Sequence, residues 1–350
     1  MVVKYFKDLP FRIHLSFDLW SSPNHRSFLG VVAHWTTDQG VLRSSTIAFR
    51  RFLGPHSGVN IASTLYEILE RYEISEKLGH ITTDNAANND QALVELAILL
   101  GNKGIMFNPE SSRVRCFGHI INLVVKGFLW GLDWQAFENN IDMSTEEEER
   151  SLKSWRKKGP IGKLHNIGVW ILRTPQRRDR FTEKVRLTRG VNYKGPLLPI
   201  VGNVTRWSSD ADALDRAFEL QDILNEFVGI AVTEERQAKS RRTTNRDTTI
   251  ENDRYWNSPE LVTLDELTSE DWQDLAIILQ ILKPFRRLTL ELQGTGSLRN
   301  HANGYLARIL PGMDDLLASL EEARPKYADS SVYSIHILTS INHAWSILDK

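Results

Sequence analysis

The chain reads as an α/β domain followed by a mainly helical one. Three observations carry this reading. Residues 11–49 hold three strand-like runs in succession, residues 59–100 alternate helix, strand and helix, and from about residue 151 onward the apolar spacing is helical.

The first three strands are expected at 12–17, 28–35 and 41–49, with Thr37-Asp38-Gln39-Gly40 as the hairpin turn between the last two. A helix follows over about 59–72, where Ile61, Leu65, Ile68 and Leu69 recur at helical spacing. The apolar run from Leu78 to Ile81 predicts a short buried strand over 78–83, and a helix is expected over 91–100. Three strands, a helix, a strand and a helix match the opening half of a ribonuclease H-like domain.

The expected core half spans 1–145 and ends at the acidic run Glu146, Glu147, Glu148 and Glu149. The helical domain spans 146–350. Within it, the polar stretch at 233–257 carries Arg236, Lys239, Arg241, Arg242, Arg246 and Arg254 with little apolar content, and is expected to be a disordered loop. Long helices are expected at 272–292, with Pro284 as a kink, at 305–322 and at 332–348.

Bulk composition narrows the classes. At 350 residues, 41% of them hydrophobic, the chain can bury one large core or two ordinary ones. Mean hydropathy is −0.32 and no apolar run is long enough to span a bilayer. The N-terminus lacks the apolar core of a signal peptide. The single cysteine, Cys116, excludes an intramolecular disulfide and a multi-cysteine zinc finger, so its C-x-x-H spacing to His119 is a poor zinc signal. Net charge is −1, so any case for nucleic acid rests on local patches.

Two carboxylates stand out. Asp84 follows the strand at 78–83, and Asp18 lies in the strand-like stretch Phe17-Asp18-Leu19-Trp20. Acids delivered by rigid strands suit a divalent cation, although an Asp in such a place also serves as a turn former or helix cap. A basic run fills 151–190, with twelve Lys and Arg against two acids, Asp179 and Glu183. Such a run is ordinarily a solvated helix face. It also suits phosphate contact, with Trp155 and Trp170 nearby for stacking.

Four motifs stand in order: Phe17-Asp18-Leu19-Trp20-Ser21-Ser22, Thr83-Asp84-Asn85-Ala86-Ala87-Asn88, Arg115-Cys116-Phe117-Gly118-His119-Ile120-Ile121-Asn122-Leu123, and Asn203-Val204-Thr205-Arg206-Trp207-Ser208-Ser209. The series resembles the hAT superfamily of DNA transposases, in particular the group common in fungal genomes, over nearly the whole chain. The stretch Lys157-Lys158-Gly159-Pro160-Ile161-Gly162 is also similar to that group.

The resemblance implies an RNase H-like core interrupted by a large all-α insertion domain. It implies an Asp, Asp, Glu triad holding Mg²⁺ or Mn²⁺ for DNA cleavage and strand transfer. Asp18 matches the first acid and Asp84 the second, as catalytic residues and metal ligands. DNA contact is implied for His119, Arg206 and Trp207, and the basic run adds Lys157, Lys158, Arg177 and Arg178. For Cys116 and His119 a packing role is the alternative, and for Trp207 a place at a helix start.

The family's third acid, in a Ser-Glu-Arg-like motif near the dimerisation region, has no match before Lys350, and the amino-terminal BED zinc finger has none either. The resemblance therefore implies an incomplete core and a nuclear, transposase-derived protein that is inactive in strand transfer. It also implies a homo-oligomerising family whose dimerisation region is missing here, and an exposed, aggregation-prone core. The alternative is a non-catalytic nucleic-acid-binding or interaction module. A nuclease using another carboxylate is a more distant one.

Overall fold

The structure is a computed structural model that describes residues 2–22, 24, 26–131, 153–190, 192–202, 207–244, 263–293, 306–329 and 335–349. The chain divides into two compact units, Met1–Ile120 and Ile121–Lys350. This division falls earlier than the acidic run at 146–149, which lies outside the described residues.

The first unit runs α1 (Val2–Asp8), β1 (Ile13–Ser21), β2 (Ser27–Thr36), β3 (Leu42–Phe52), α2 (Gly58–Tyr72), β4 (Leu78–Thr83), α3 (Ala87–Gly101) and β5 (Arg113–Arg115), with α4 (Phe117–Trp130) starting in it. Every element expected between residues 12 and 100 forms. Sequence periodicity missed α1 and β5, which at seven and three residues are too short to show a period.

The sheet order is β3-β2-β1-β4-β5. The first three strands pair antiparallel, while β4 joins β1 and β5 joins β4 in parallel. The parallel pairs depend on the intervening helices, because a parallel return needs a crossover. Alternation along β1 buries Ile13, Leu15 and Phe17 and exposes His14, Asp18 and Trp20. The buried set joins Leu29, Val31 and Ala33 of β2, Ile61, Leu65 and Leu69 of α2, and Leu93, Leu96 and Leu100 of α3 in one core.

Ser57 starts α2 by accepting the Asn60 N–H at 3.4 Å, and Glu73 ends it in the left-handed region at φ 53°. Gly58 lets α2 approach α3 closely, since a Cβ there would lie 2.6 Å from the Gln91 side chain.

The second unit is helical: the remainder of α4, then α5 (Pro160–Arg173), α6 (Pro175–Arg189), α7 (Trp207–Glu219), α8 (Gln221–Thr244), α9 (Ser269–Gln293), α10 (Leu306–Lys326) and α11 (Ile335–Leu348). Prolines open α5 and α6, where a missing N–H costs nothing. Phe227 of α8 ties this unit's core together, with ring centres 5.9 Å from Trp170 and 5.1 Å from Phe181.

One expectation is corrected: the polar stretch expected as a loop from residue 233 is helix up to Thr244. Its Glu, Gln, Ala, Lys and Arg are good helix formers despite their polarity. The rest of that stretch, 245–257, lies outside the described residues. The helix α9 runs on through Pro284.

Candidate functional site

Strands β1 and β4 are parallel and in register at Ser16 and Thr82. Two residues further along each chain stand Asp18 and Asp84. Adjacent strands lie about 4.8 Å apart, and residues two apart share a face. Extending that register brings Asp18, three residues before the end of β1, and Asp84, directly after the last residue of β4, to about one level on the sheet face away from the α2–α3 core. Asp18 is exposed and Asp84 half-buried.

Asp84 also has a local duty. Its Oδ1 accepts the Ala86 N–H at 3.0 Å and an N–H of the Asn89 amide, which organises the start of α3. Both bonds fall on Oδ1, so among the described contacts Oδ2 is the oxygen left for a cation. Carboxylate oxygens on rigid elements fit a hard ion such as Mg²⁺ or Mn²⁺.

Strand β5 supplies the positive side of the site. Arg113 donates to the Asp84 carbonyl at 2.9 Å and pairs with Asp90, while Arg115 donates to Asn85 Oδ1 at 3.2 Å. The Cys116 N–H extends the ladder by donating to the Thr83 carbonyl at 2.8 Å. That bond brings the first turn of α4, with a half-buried His119, to the same sheet end as Asp84. Sequence reading gave no site role to Asn89, Arg113 or Arg115, although Arg115 opens the third motif. The available signal was the spacing Arg113-Val114-Arg115, which sets two cations on one strand face directly before the Cys-x-x-His pair.

The same outer face carries two further clusters that composition alone did not reveal. Trp20, Phe28 and Phe49 form a ring cluster with centres 5.7–6.1 Å apart, and Phe49 is 65% exposed. Toward the other end of β1, His14 lies beside His80, and Ser16 Oγ is 2.8 Å from His34 Nε2. Burial, followed by the charges of His80, His34 and Arg12, holds His14 below the usual histidine range.

The remaining predicted DNA contacts fare differently. Lys157 is exposed and Lys158 half-buried in the turn before α5. Arg177 is buried, its guanidinium lies 4.8 Å from the Trp170 ring centre, and it donates to the Trp170 carbonyl at 3.0 Å. Arg178 donates to the Leu172 carbonyl at 3.0 Å. Both arginines thus satisfy carbonyls at the C-terminus of α5, where cations are favourable.

Other members of the basic run are paired within the helical unit: Arg156 with Asp265, Lys163 with Asp271, Lys184 with Glu226 and Arg189 with Asp222. Trp207 is likewise placed in the interior. It is 4% exposed, and its backbone N–H donates to Asn122 Oδ1 at 3.1 Å, which fits the alternative of a helix-start packing residue. Arg206 lies outside the described residues.

Comparison with known proteins bears on the same region. Residues 16–110 match the ZBED1 RNase-like domain. The first unit is accordingly an RNase H-like core, and the described residues that follow it are mostly helical.

Over 329 residues, 93% of its length, the chain is 24% identical to the "Putative transcriptional regulator tpeD" of Talaromyces stipitatus, of which it covers 34%. It is 30% identical over 122 residues to the "Putative AC transposase" of Zea mays, covering 34% of this chain and 15% of that one. It is 26% identical over 124 residues to "Zinc finger BED domain-containing protein RICESLEEPER 3" of Oryza sativa subsp. japonica, covering 35% and 16% respectively. The chain thus spans about a third or less of the length of these relatives. These similarities relate its RNase-like domain to proteins named as transposases and as BED zinc finger proteins. Among the described residues, no helix is long and apolar enough to cross a membrane.

Proposed function

We propose that this chain belongs to a transposase-derived, nuclear DNA-binding protein whose RNase H-like core keeps the paired acids without supporting strand transfer by itself. The observation that supports the reading is the parallel register of β1 and β4 at Ser16 and Thr82, from which Asp18 within β1 and Asp84 directly after β4 fall at about one level. Similarity over 93% of the chain to a protein named as a transcriptional regulator favours binding over catalysis.

Asp18 and Asp84 would hold one Mg²⁺ or Mn²⁺, which when bound neutralises charge on a phosphate oxygen. Two-metal phosphoryl transfer asks for more than this pair. Among the described residues, no group of three or more His, Cys, Asp or Glu is arranged to hold a metal. Arg115, His119, Lys157 and Lys158 are the groups offered to DNA phosphates. Arg113 acts one step behind, by fixing the loop that carries Asp84.

The test pairs two assays on the purified chain. Binding to duplex and single-stranded DNA should be measurable and should weaken as salt rises. Incubation of supercoiled and linear duplex DNA with the chain and Mg²⁺ or Mn²⁺ should leave the DNA uncut. Cleavage that disappears in Asp18→Ala or Asp84→Ala would overturn the non-catalytic part of the reading, and absence of DNA binding at low salt would overturn the rest.

A further inference from the structure

The outer sheet face holds a second polar cluster, four residues before Asp18 on β1. The rings of His14 and His80 are nearly parallel, with planes 15° apart and centres 5.3 Å apart. Their Nδ1 atoms are only 3.4 Å apart. Because these nitrogens are much closer than the ring centres, the two Nδ1 edges face one another.

A β-bulge creates the arrangement. Ile13 pairs with Leu78 and Leu15 with Ile81, so Gly79 and His80 together oppose His14. Gly79 is needed there, since a Cβ on it would sit 2.7 Å from His14 Nδ1. The His80 backbone N–H donates to His14 Nδ1 at 3.0 Å, which makes that nitrogen the unprotonated one. The His80 Nδ1 then presents either a second lone pair or a proton to a lone pair already in use. Neither is favourable, and a cation shared between the two nitrogens removes the conflict.

We propose that His14 and His80 form a binding site for a late first-row divalent transition metal, with Zn²⁺ as the reference ion. Two nitrogens bound at roughly 2.0–2.1 Å on a tetrahedral ion lie about 3.3–3.4 Å apart, the separation found here. Imidazole pairs select Zn²⁺, Cu²⁺ or Ni²⁺ over Mg²⁺, so this site is chemically distinct from the acid pair. Metal binding would replace the His80 N–H as the partner of His14. Among the described residues no third His, Cys, Asp or Glu joins the pair, so water completes the shell and the site is an open one. Its effect on the fold would be to clip β1 to β4 at the bulge. The proposal does not depend on DNA binding.

The experiment is Zn²⁺ titration of the purified full chain at pH 7.5, read by competition with a coloured chelator. One equivalent should bind in the micromolar range, with affinity reduced tenfold or more in His14→Ala and in His80→Ala. His80 is exposed, so His80→Asn, checked for fold by circular dichroism, serves as the second variant and should show the same loss. Asp38→Asn, in the turn between β2 and β3 and outside both sites, should bind as the wild type does. The proposal is overturned if the wild type binds no Zn²⁺ below about 100 μM, or if the folded histidine variants keep wild-type affinity.

Discussion

Replacing Arg156 with alanine should destabilise the helical unit by roughly 3 kcal/mol at pH 8. Its partner Asp265 is 1% exposed. The guanidinium holds that carboxylate at both oxygens, Nε to Oδ1 at 2.7 Å and a terminal nitrogen to Oδ2 at 2.7 Å, and Asn166 adds an amide N–H to Oδ2 at 3.1 Å. The substitution strips two charge-assisted bonds and leaves the buried carboxylate, among the described contacts, with the Asn166 amide and the more distant Lys163 charge. Breaking such a pair costs about 3–5 kcal/mol, and the lower end applies because the Arg156 side chain is itself 18% exposed, so water can partly replace it.

The loss should depend on pH, with a sign that follows from burial. Desolvation raises the Asp265 pKa and Arg156 opposes the rise, so removing Arg156 raises it further. A carboxyl raised in the folded state contributes stability fully below its unfolded pKa of about 3.9 and loses it as pH climbs through the folded value. The deficit of Arg156→Ala should therefore be small near pH 4 and full at pH 8. Urea unfolding followed by circular dichroism at both pH values measures it, and Arg156→Ala with Asp265→Asn should recover much of the loss at pH 8. A cost below about 1 kcal/mol at pH 8, or equal costs at the two pH values, would refute the reasoning.

Three further outcomes follow from the site and the helical core. Asp84→Asn should keep the start of α3 but weaken Mn²⁺ binding, whereas Asp84→Ala should also cost about 1 kcal/mol in thermal unfolding because the Ala86 N–H loses its acceptor. Trp207→Ala should cost about 3–5 kcal/mol through lost packing. Lys157→Ala should leave stability unchanged and lower the slope of log DNA affinity against log salt by about 1, a contrast that salt-dependent binding beside thermal melts would test.

Burial pushes the Asp210 carboxyl up to about 7 and the His165 imidazole down to about 4. The first removes stability as pH rises toward 7, and the second removes it as pH falls below about 6.5. Asp210→Asn and His165→Gln should thus tilt the stability profile between pH 4 and 7 in opposite directions, and identical profiles would exclude this origin.

Local pattern sufficed for much of the RNase-like domain. The alternation in β1, the Thr37–Gly40 turn and the helical spacing of Ile61, Leu65 and Leu69 each concern neighbours within one or two turns, where backbone geometry dictates which side a residue takes. Asp18 and Asp84 were legible as candidates for the same reason. That they share one level was not, because the β1–β4 register is set by burial of two strands more than sixty residues apart.

The fates of Arg177 and Trp207 were likewise tertiary. Charge suggested DNA for the one and the family resemblance for the other, but a guanidinium near unfilled helix carbonyls and an indole at a buried helix start gain more from the interior than from solvent. The His14–His80 pair shows the limit most plainly. Neither residue has a neighbouring histidine in the chain, and only a bulge at Gly79, invisible in any periodicity, turns their Nδ1 edges toward each other.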